Sequence, residues 1–299
     1  MNSTGTIAKT LIGMLTVAAC TTVYATESGG SAYAHGAETW MPGFLPPPGD
    51  YYLNYTNYYR ADKLNGPDGD TLIDDFEVEA FANVFRYVHV TNKKILGGNY
   101  AFQILVPLVD LHVSSSGRSD RRSGLGDITI DPFILGWHLG KLHVVAGIDF
   151  ILPTGGYDRD RLANIGRNYY TIEPAMAVTY HDPGGMELST KLMYDVSTEN
   201  ESTDYQSGDE FHMDFAAGWN VSAWTLGLSG YYDKQLSDDE QYGRRLAGGN
   251  RGEVLALGPS AKYQWGNISL IAAWQQELEA TNRPQGNKLW FNFVLPLEL

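Results

Sequence analysis

The sequence predicts an all-β fold: a transmembrane antiparallel up-and-down β-barrel of about 12 strands, with long extracellular loops and short periplasmic turns. Three observations predict it. From Tyr51 to Leu297 apolar and polar residues alternate in successive stretches, each roughly ten residues long, the period of a strand with one apolar face. The connections between these stretches are alternately short and long, so all tight turns fall at one rim and all long loops at the other. An export signal stands in front of them. A soluble lipocalin-like barrel or a sandwich would also alternate, but neither needs to sort its loops by length between two ends.

Composition agrees. The 299 residues suffice for one large barrel or two ordinary soluble domains. Aromatic residues make up 12% of the chain, suited to the girdles at a membrane interface. Beyond the N-terminus no uncharged apolar run reaches the roughly 18 residues of a helical span. The net charge of -14 excludes nucleic acid as a partner, because phosphate neutralisation needs an excess of Lys and Arg.

Residues 1–25 read as a signal peptide. Lys9 is its positive start, Leu11, Ile12, Met14, Leu15, Val17 and Ala18 are its apolar core, and Val23-Tyr24-Ala25 is a small-residue cleavage site. The only cysteine, Cys20, falls inside it. Val17-Ala18-Ala19-Cys20 also reads as a lipoprotein box, but the apolar core is already short and cleavage after Ala25 suits it better. Residues 26–50 are rich in Gly, Ala and Pro and end in Leu45-Pro46-Pro47-Pro48-Gly49. Three prolines keep such a segment out of a ladder, leaving a periplasmic tail or a plug folded into the lumen, with the tail the simpler choice. The barrel then occupies 51–299.

The strands follow in order. The first, 51–60, carries Tyr51, Leu53, Tyr55 and Tyr59 on one face; the second covers about 76–90 and the third 100–113. The fourth spans 125–137. In the fifth, 142–150, Leu142, Val144, Ala146, Ile148 and Phe150 oppose His143, Val145, Gly147 and Asp149. The sixth and seventh are 170–180 and 186–196. In the eighth, 211–219, Phe211, Met213, Phe215 and Trp219 oppose His212, Asp214 and Gly218. The ninth, 224–232, and the weakly alternating tenth, 253–265, precede the eleventh, 268–274, and the twelfth, 289–297. The last strand resembles the end that barrel-assembly machinery reads, although it closes on Leu299 and contains Pro296. Long loops are expected near 61–75, 114–124, 153–168, 198–209, 235–252 and 278–287.

Chemistry is sparsely signalled. His143, Asp149, His212 and Asp214 are candidate lumen-lining residues, with hydrogen bonding across the interior as their plainest role; Asp127, Asp131 and Asp195 near strand ends extend the same set. A hydrolase would need Ser189 or Ser260 paired with His181 or His212, and no nucleophile motif marks either serine. The seven histidines lack metal-ligand spacing. Asp68-Gly69-Asp70 with Asp74-Asp75 does not match an EF-hand loop. No catalytic residue, cofactor or metal is therefore expected. Arg118, Arg121 and Arg122 in one loop, and Arg244, Arg245 and Arg251 in another, are placed to meet lipopolysaccharide phosphates or simply solvent.

Several pieces together resemble the SphA-like outer-membrane family of the meta-pathway of phenol degradation. They are Leu45-Pro46-Pro47-Pro48-Gly49, Tyr58-Tyr59-Arg60-Ala61-Asp62-Lys63-Leu64, Gly124-Leu125-Gly126-Asp127-Ile128 and Pro153-Thr154-Gly155-Gly156-Tyr157-Asp158. Asn164-Ile165-Gly166-Arg167-Asn168, residues 203–208 and Asn282-Arg283-Pro284-Gln285-Gly286 complete the set. The resemblance implies a bacterial outer-membrane channel for passive uptake of small hydrophobic aromatic compounds, without an enzymatic step. Expected partners are those solutes, outer-membrane lipid and lipopolysaccharide, and the barrel-assembly machinery. Under that reading an apolar row should face the lumen, for which Phe81, Phe85 and Tyr87 on the second strand and Phe133, Leu135 and Trp137 on the fourth are candidates. The competing expectation is a non-transporting structural or surface-interaction barrel. A predominantly apolar lumen favours the first, and a lumen packed with salt bridges the second.

Overall fold

The computed structural model describes residues 27–73 and 75–297; the expected signal peptide, with Cys20, and Leu299 lie outside the described residues. Each of the 12 alternating stretches forms a strand. They are β1 (Gly49–Asn65), β2 (Glu77–Ile95), β3 (Gly98–Ser115), β4 (Ile128–Leu139), β5 (Leu142–Leu152) and β6 (Thr171–His181), then β7 (Met186–Ser197), β8 (Glu210–Val221), β9 (Trp224–Gln235), β10 (Glu253–Trp265), β11 (Ile268–Thr281) and β12 (Pro284–Leu297). Each pairs antiparallel with its sequence neighbours. β12 returns to β1, from Asp50 opposite Leu297 to Leu64 opposite Pro284, and closes the barrel. Closure leaves no strand edge unpaired in the hydrocarbon, where water cannot satisfy a free N–H or C=O.

The alternation that signals the strands is the lipid face. Phe102, Ile104, Met176, Leu188, Leu228 and Phe291 are exposed large apolar residues. Thr179, Ser189, Ser229, Ser260, Gln275 and Asn292, on the opposite face, are buried and polar. Trp219, Trp224 and Trp265, all exposed, stand beside the short turns of β8–β9 and β10–β11, where an aromatic girdle belongs.

Most of the expected loops are partly ladder, two of them extensively. Arg118–Leu125 folds back on β3, with Ser115 opposite Arg118 and Leu108 opposite Leu125. Around 278–287 the strands run on to Thr281 and resume at Pro284, leaving only Asn282-Arg283 between them. Both extensions are polar because no lipid face demands alternation there, so the pattern gave no sign of them. In β4 the register shifts between Ile130 and Ile134, a bulge around Pro132, which cannot donate to the ladder.

The lead-in segment is a plug, not a tail. Its residues 27–48 run through the lumen from loop rim to turn rim. At the loop rim the Glu27 carboxylate accepts from Tyr157 Oη (2.8 Å) and Thr203 Oγ1 (2.7 Å). At the turn rim Phe44 lies against His143, ring centroids 4.7 Å apart. Prolines 46–48 then lead out to Gly49 and β1. The segment has few regular ladder bonds of its own, so its buried N–H and C=O groups must find side chains of the wall.

Candidate functional site in the barrel lumen

The plug divides the lumen into two unlike halves. On the loop side it is pinned by charge. Asp214 accepts three hydrogen bonds, from Tyr33 Oη (2.8 Å) and the backbone N–H groups of Gly36 (2.6 Å) and Glu38 (2.9 Å). Bonds to an ionised acceptor are about twice as strong as neutral ones, so this carboxylate is the main latch. From the other wall Lys288 Nζ donates to the His35 carbonyl (3.1 Å), Gln275 to that of Gly36 (3.3 Å) and Asn292 to that of Ala37 (3.1 Å). Around the latch sit the buried acids Glu173, Asp195, Glu210 and Asp233. Arg283, from the β11–β12 turn, reaches down to Asp233, and Lys191 Nζ bridges Glu173 (3.3 Å) and Asp149 (3.4 Å). Opposite partners make burial of Asp233, Asp149 and Glu173 tolerable away from water.

Towards the turns the plug is held through lighter contacts. Trp40 Nε1 donates to Ser260 Oγ (2.8 Å), Met41 N to Ser189 Oγ (3.2 Å) and Gly43 N to Thr179 Oγ1 (3.1 Å). A Cβ on Gly43 would come within 2.5 Å of Thr179 N and 2.7 Å of His143 O, so only glycine lets the plug approach the wall this closely. Leu45, buried, packs with Val88, Val90, Ala101 and Ile134. Beside it opens a cavity of about 550 Å³ whose lining includes Val145, Ala177 and Ile271 as well as the turn residues Asn220, Ser222 and Asn267. Three cations also line it, Arg86, Lys191 and Lys262. All three cations are already paired: Arg86 with Glu38, Lys191 as above, and Lys262 with Glu187 (2.8 Å). With these cations neutralised, the cavity has no free positive charge for an anion and a largely apolar wall for a neutral molecule.

The sequence-derived candidates separate accordingly. Asp149, His143, His212 and Asp214 all face the lumen. His212 and Asp214 stand in the loop-side network, Asp149 joins Lys191 and Gln103, and His143 lies at the foot of the plug beside His138 (2.8 Å). Phe81, Phe85 and Tyr87 are corrected. They are 48%, 40% and 36% exposed on the outer face of β2, while Arg86 and Val88, of the other parity, meet the plug. The inner row of this strand is instead Ala82, Val84, Arg86 and Val88, on which the plug packs. Phe133 is likewise exposed, and Gly136 faces Leu45, which turns Leu135 and Trp137 to the other face of β4. The serines weighed as nucleophiles are engaged elsewhere, Ser189 with Thr179 and the plug, Ser260 with Trp40. His112 does meet Ser119 (2.9 Å), but on the exposed hairpin, with Asp110 committed to Arg121.

Arg86, Glu173, Lys191 and Lys262 are lumen residues that the sequence reading misses, and Arg283 enters it only as part of a loop motif. Their signal is a charge between apolar neighbours of a spanning strand, or, for Arg283, in the motif loop that follows β11.

The fold and the lumen can now be set beside known proteins. A family model described as "Putative MetA-pathway of phenol degradation" matches residues 61–293. The chain belongs to this family. That agrees with the resemblance carried by its loop motifs. Among solved structures it is similar to the COG4313 outer membrane channel from Pseudomonas putida F1, with TM-score 0.76 and 18% identity over 85% of this chain and 97% of that one. A FadL homologue from Pseudomonas aeruginosa is similar at TM-score 0.38 and 9% identity over 82% of this chain and 88% of that one. No curated protein sequence matches. This member of the phenol-degradation family is thus a 12-stranded β-barrel of the bacterial outer membrane with the fold of an outer-membrane channel.

Proposed function

We propose that the barrel admits small, neutral, hydrophobic compounds, aromatic ones among them, by passive uptake, with no enzymatic step. One observation carries this reading: the turn-side cavity of about 550 Å³ between plug and wall. It falls within the roughly 300–1,000 Å³ of small-molecule sites and has their make-up, apolar walls with a few placed polar groups. The pairing of Arg86, Lys191 and Lys262 favours uncharged solutes over anions. Membership of a family tied to phenol degradation supports an aromatic substrate.

The test is entry of a graded series of labelled hydrophobic aromatics into intact cells with and without the gene, at limiting concentration. Faster entry that saturates and depends on solute shape is the expected result. Equal uptake across the series, with the protein verified in the outer membrane, would sink it. One observation favours a structural or surface-interaction barrel instead: the loop-side half of the lumen is packed with buried acids, two of them in ion pairs with Lys191 and Arg283. Equal uptake would move the assignment there.

A further inference from the structure

Glu173 on β6, Asp195 on β7 and His212 on β8 are lumen-facing residues of three adjacent strands, converging on the concave side of the wall. Their ligand atoms all lie within 4.8 Å of one another, and the three residues are 0%, 2% and 0% exposed. His212 Nε2 is 3.2 Å from Asp195 Oδ1 and 3.6 Å from Glu173 Oε2. Zinc–oxygen and zinc–nitrogen bonds of about 2.0–2.2 Å in a tetrahedron set ligand atoms about 3.4 Å apart, between those two separations.

Hydrogen bonding leaves this cluster unfinished. No aligned hydrogen bond reaches Glu173 Oε2, either oxygen of Asp195 or either nitrogen of His212. Lys191 takes the other oxygen of Glu173 and leaves Oε2 directed elsewhere. Beyond the three, His35 of the plug is 2% exposed, its ring 4.8 Å from that of His212, and neither of its nitrogens has a hydrogen bond. Unsatisfied buried groups on this scale call for a water or an ion. An imidazolium between two carboxylates would balance charge only partly, whereas a divalent ion with two carboxylates and a neutral imidazole is neutral overall. The donors, one ring nitrogen and two carboxylate oxygens, suit a first-row transition ion of the zinc class.

We propose that Glu173, Asp195 and His212 bind one first-row divalent cation within the barrel wall, beneath the Tyr33–His35 stretch of the plug. The ligands stand 22 and 17 residues apart in sequence (195 − 173 and 212 − 195), which is why no spacing motif announces them. Tyr33 lies tilted against His212, ring centroids 5.0 Å apart, and closes the site from the plug side.

Co²⁺ is the probe. The full chain, without a histidine tag, is purified from outer membranes in detergent, stripped with chelator, titrated with Co²⁺ and dialysed. One equivalent should remain, with visible d–d absorption. In Asp195→Asn and His212→Ala affinity should fall by at least the roughly 10–100-fold that loss of a mere outer-shell partner costs, while His89→Ala keeps it. Only variants that show heat-shifted gel migration are compared, and the isosteric Asp195→Asn guards against misfolding of the larger change. Absence of retained Co²⁺ in the native chain would overturn the proposal, as would undiminished binding in either folded variant.

Discussion

The two halves of the lumen are filled by the same 22 plug residues, 27–48, yet they are held in different ways. On the loop side the wall presents Glu173, Asp195, Glu210, His212, Asp214 and Asp233, and the plug answers with backbone N–H groups and Tyr33. On the turn side the wall presents Val88, Ile134 and hydroxyls, and the plug answers with Trp40, Gly43 and Leu45. The first arrangement is directional, with the plug tied to Asp214, Lys288, Gln275 and Asn292, so it seals. The second depends on packing, which leaves a cavity wherever shapes do not match. The difference puts the barrier of any path on the loop side and its open chamber on the periplasmic side.

Four perturbations break or sharpen that contrast. The largest effect is expected from Arg283→Ala, which strands Asp233 in the interior without its cation; breaking a buried pair costs about 3–5 kcal/mol. The readout is the urea midpoint of the inserted barrel, and Lys141→Ala is its control. Lys141 pairs with Asp182 in the open (2.7 Å), where such pairs contribute about 0–1 kcal/mol. Asp214→Ala comes next. It frees the buried N–H groups of Gly36 and Glu38, at about 1–3 kcal/mol for each group left unsatisfied, and should expose the plug to added protease while the strands stay protected.

Leu45→Ala acts on the other half. Removing a buried leucine costs about 2–5 kcal/mol, less where the site collapses. Here it widens the chamber, so bulkier aromatics should enter faster while the loop-side seal, read by protease resistance at residues 27–38, is unchanged. The smallest effect is a pH response outside the membrane. Arg161, hydrogen-bonded to Asp120 on the exposed hairpin, holds that carboxyl below the ordinary carboxylate range. A depressed folded value means the contact contributes fully above the unfolded pKa and is lost as pH falls through the lowered one. Nicking of the 153–168 loop should therefore rise only below about pH 4, and Arg161→Gln should remove the dependence.

The wall was far more legible than its contents. All 12 strands were readable because each keeps one face in lipid, and lipid tolerates no polar interruption. His143, Asp149, His212 and Asp214 could be assigned to the inside for the same reason. The logic failed where both rows of β2 are apolar: Phe81, Phe85 and Tyr87 look like a ring-lined path, but Arg86 on the other parity fixes the inner face. The plug was illegible because it has no periodicity, and many of its hydrogen bonds go to residues far along the chain, as from Gly43 to Thr179. The convergence of Glu173, Asp195 and His212 likewise depends on strand register rather than on any local motif.

The most direct test of a lumen sealed by its own N-terminal segment is conductance across a planar bilayer, measured for the native chain and for one lacking residues 27–48. With the segment in place the expected steps are small or absent, and without it large and steady. Equal conductance in two chains of equally folded barrels would contradict the seal.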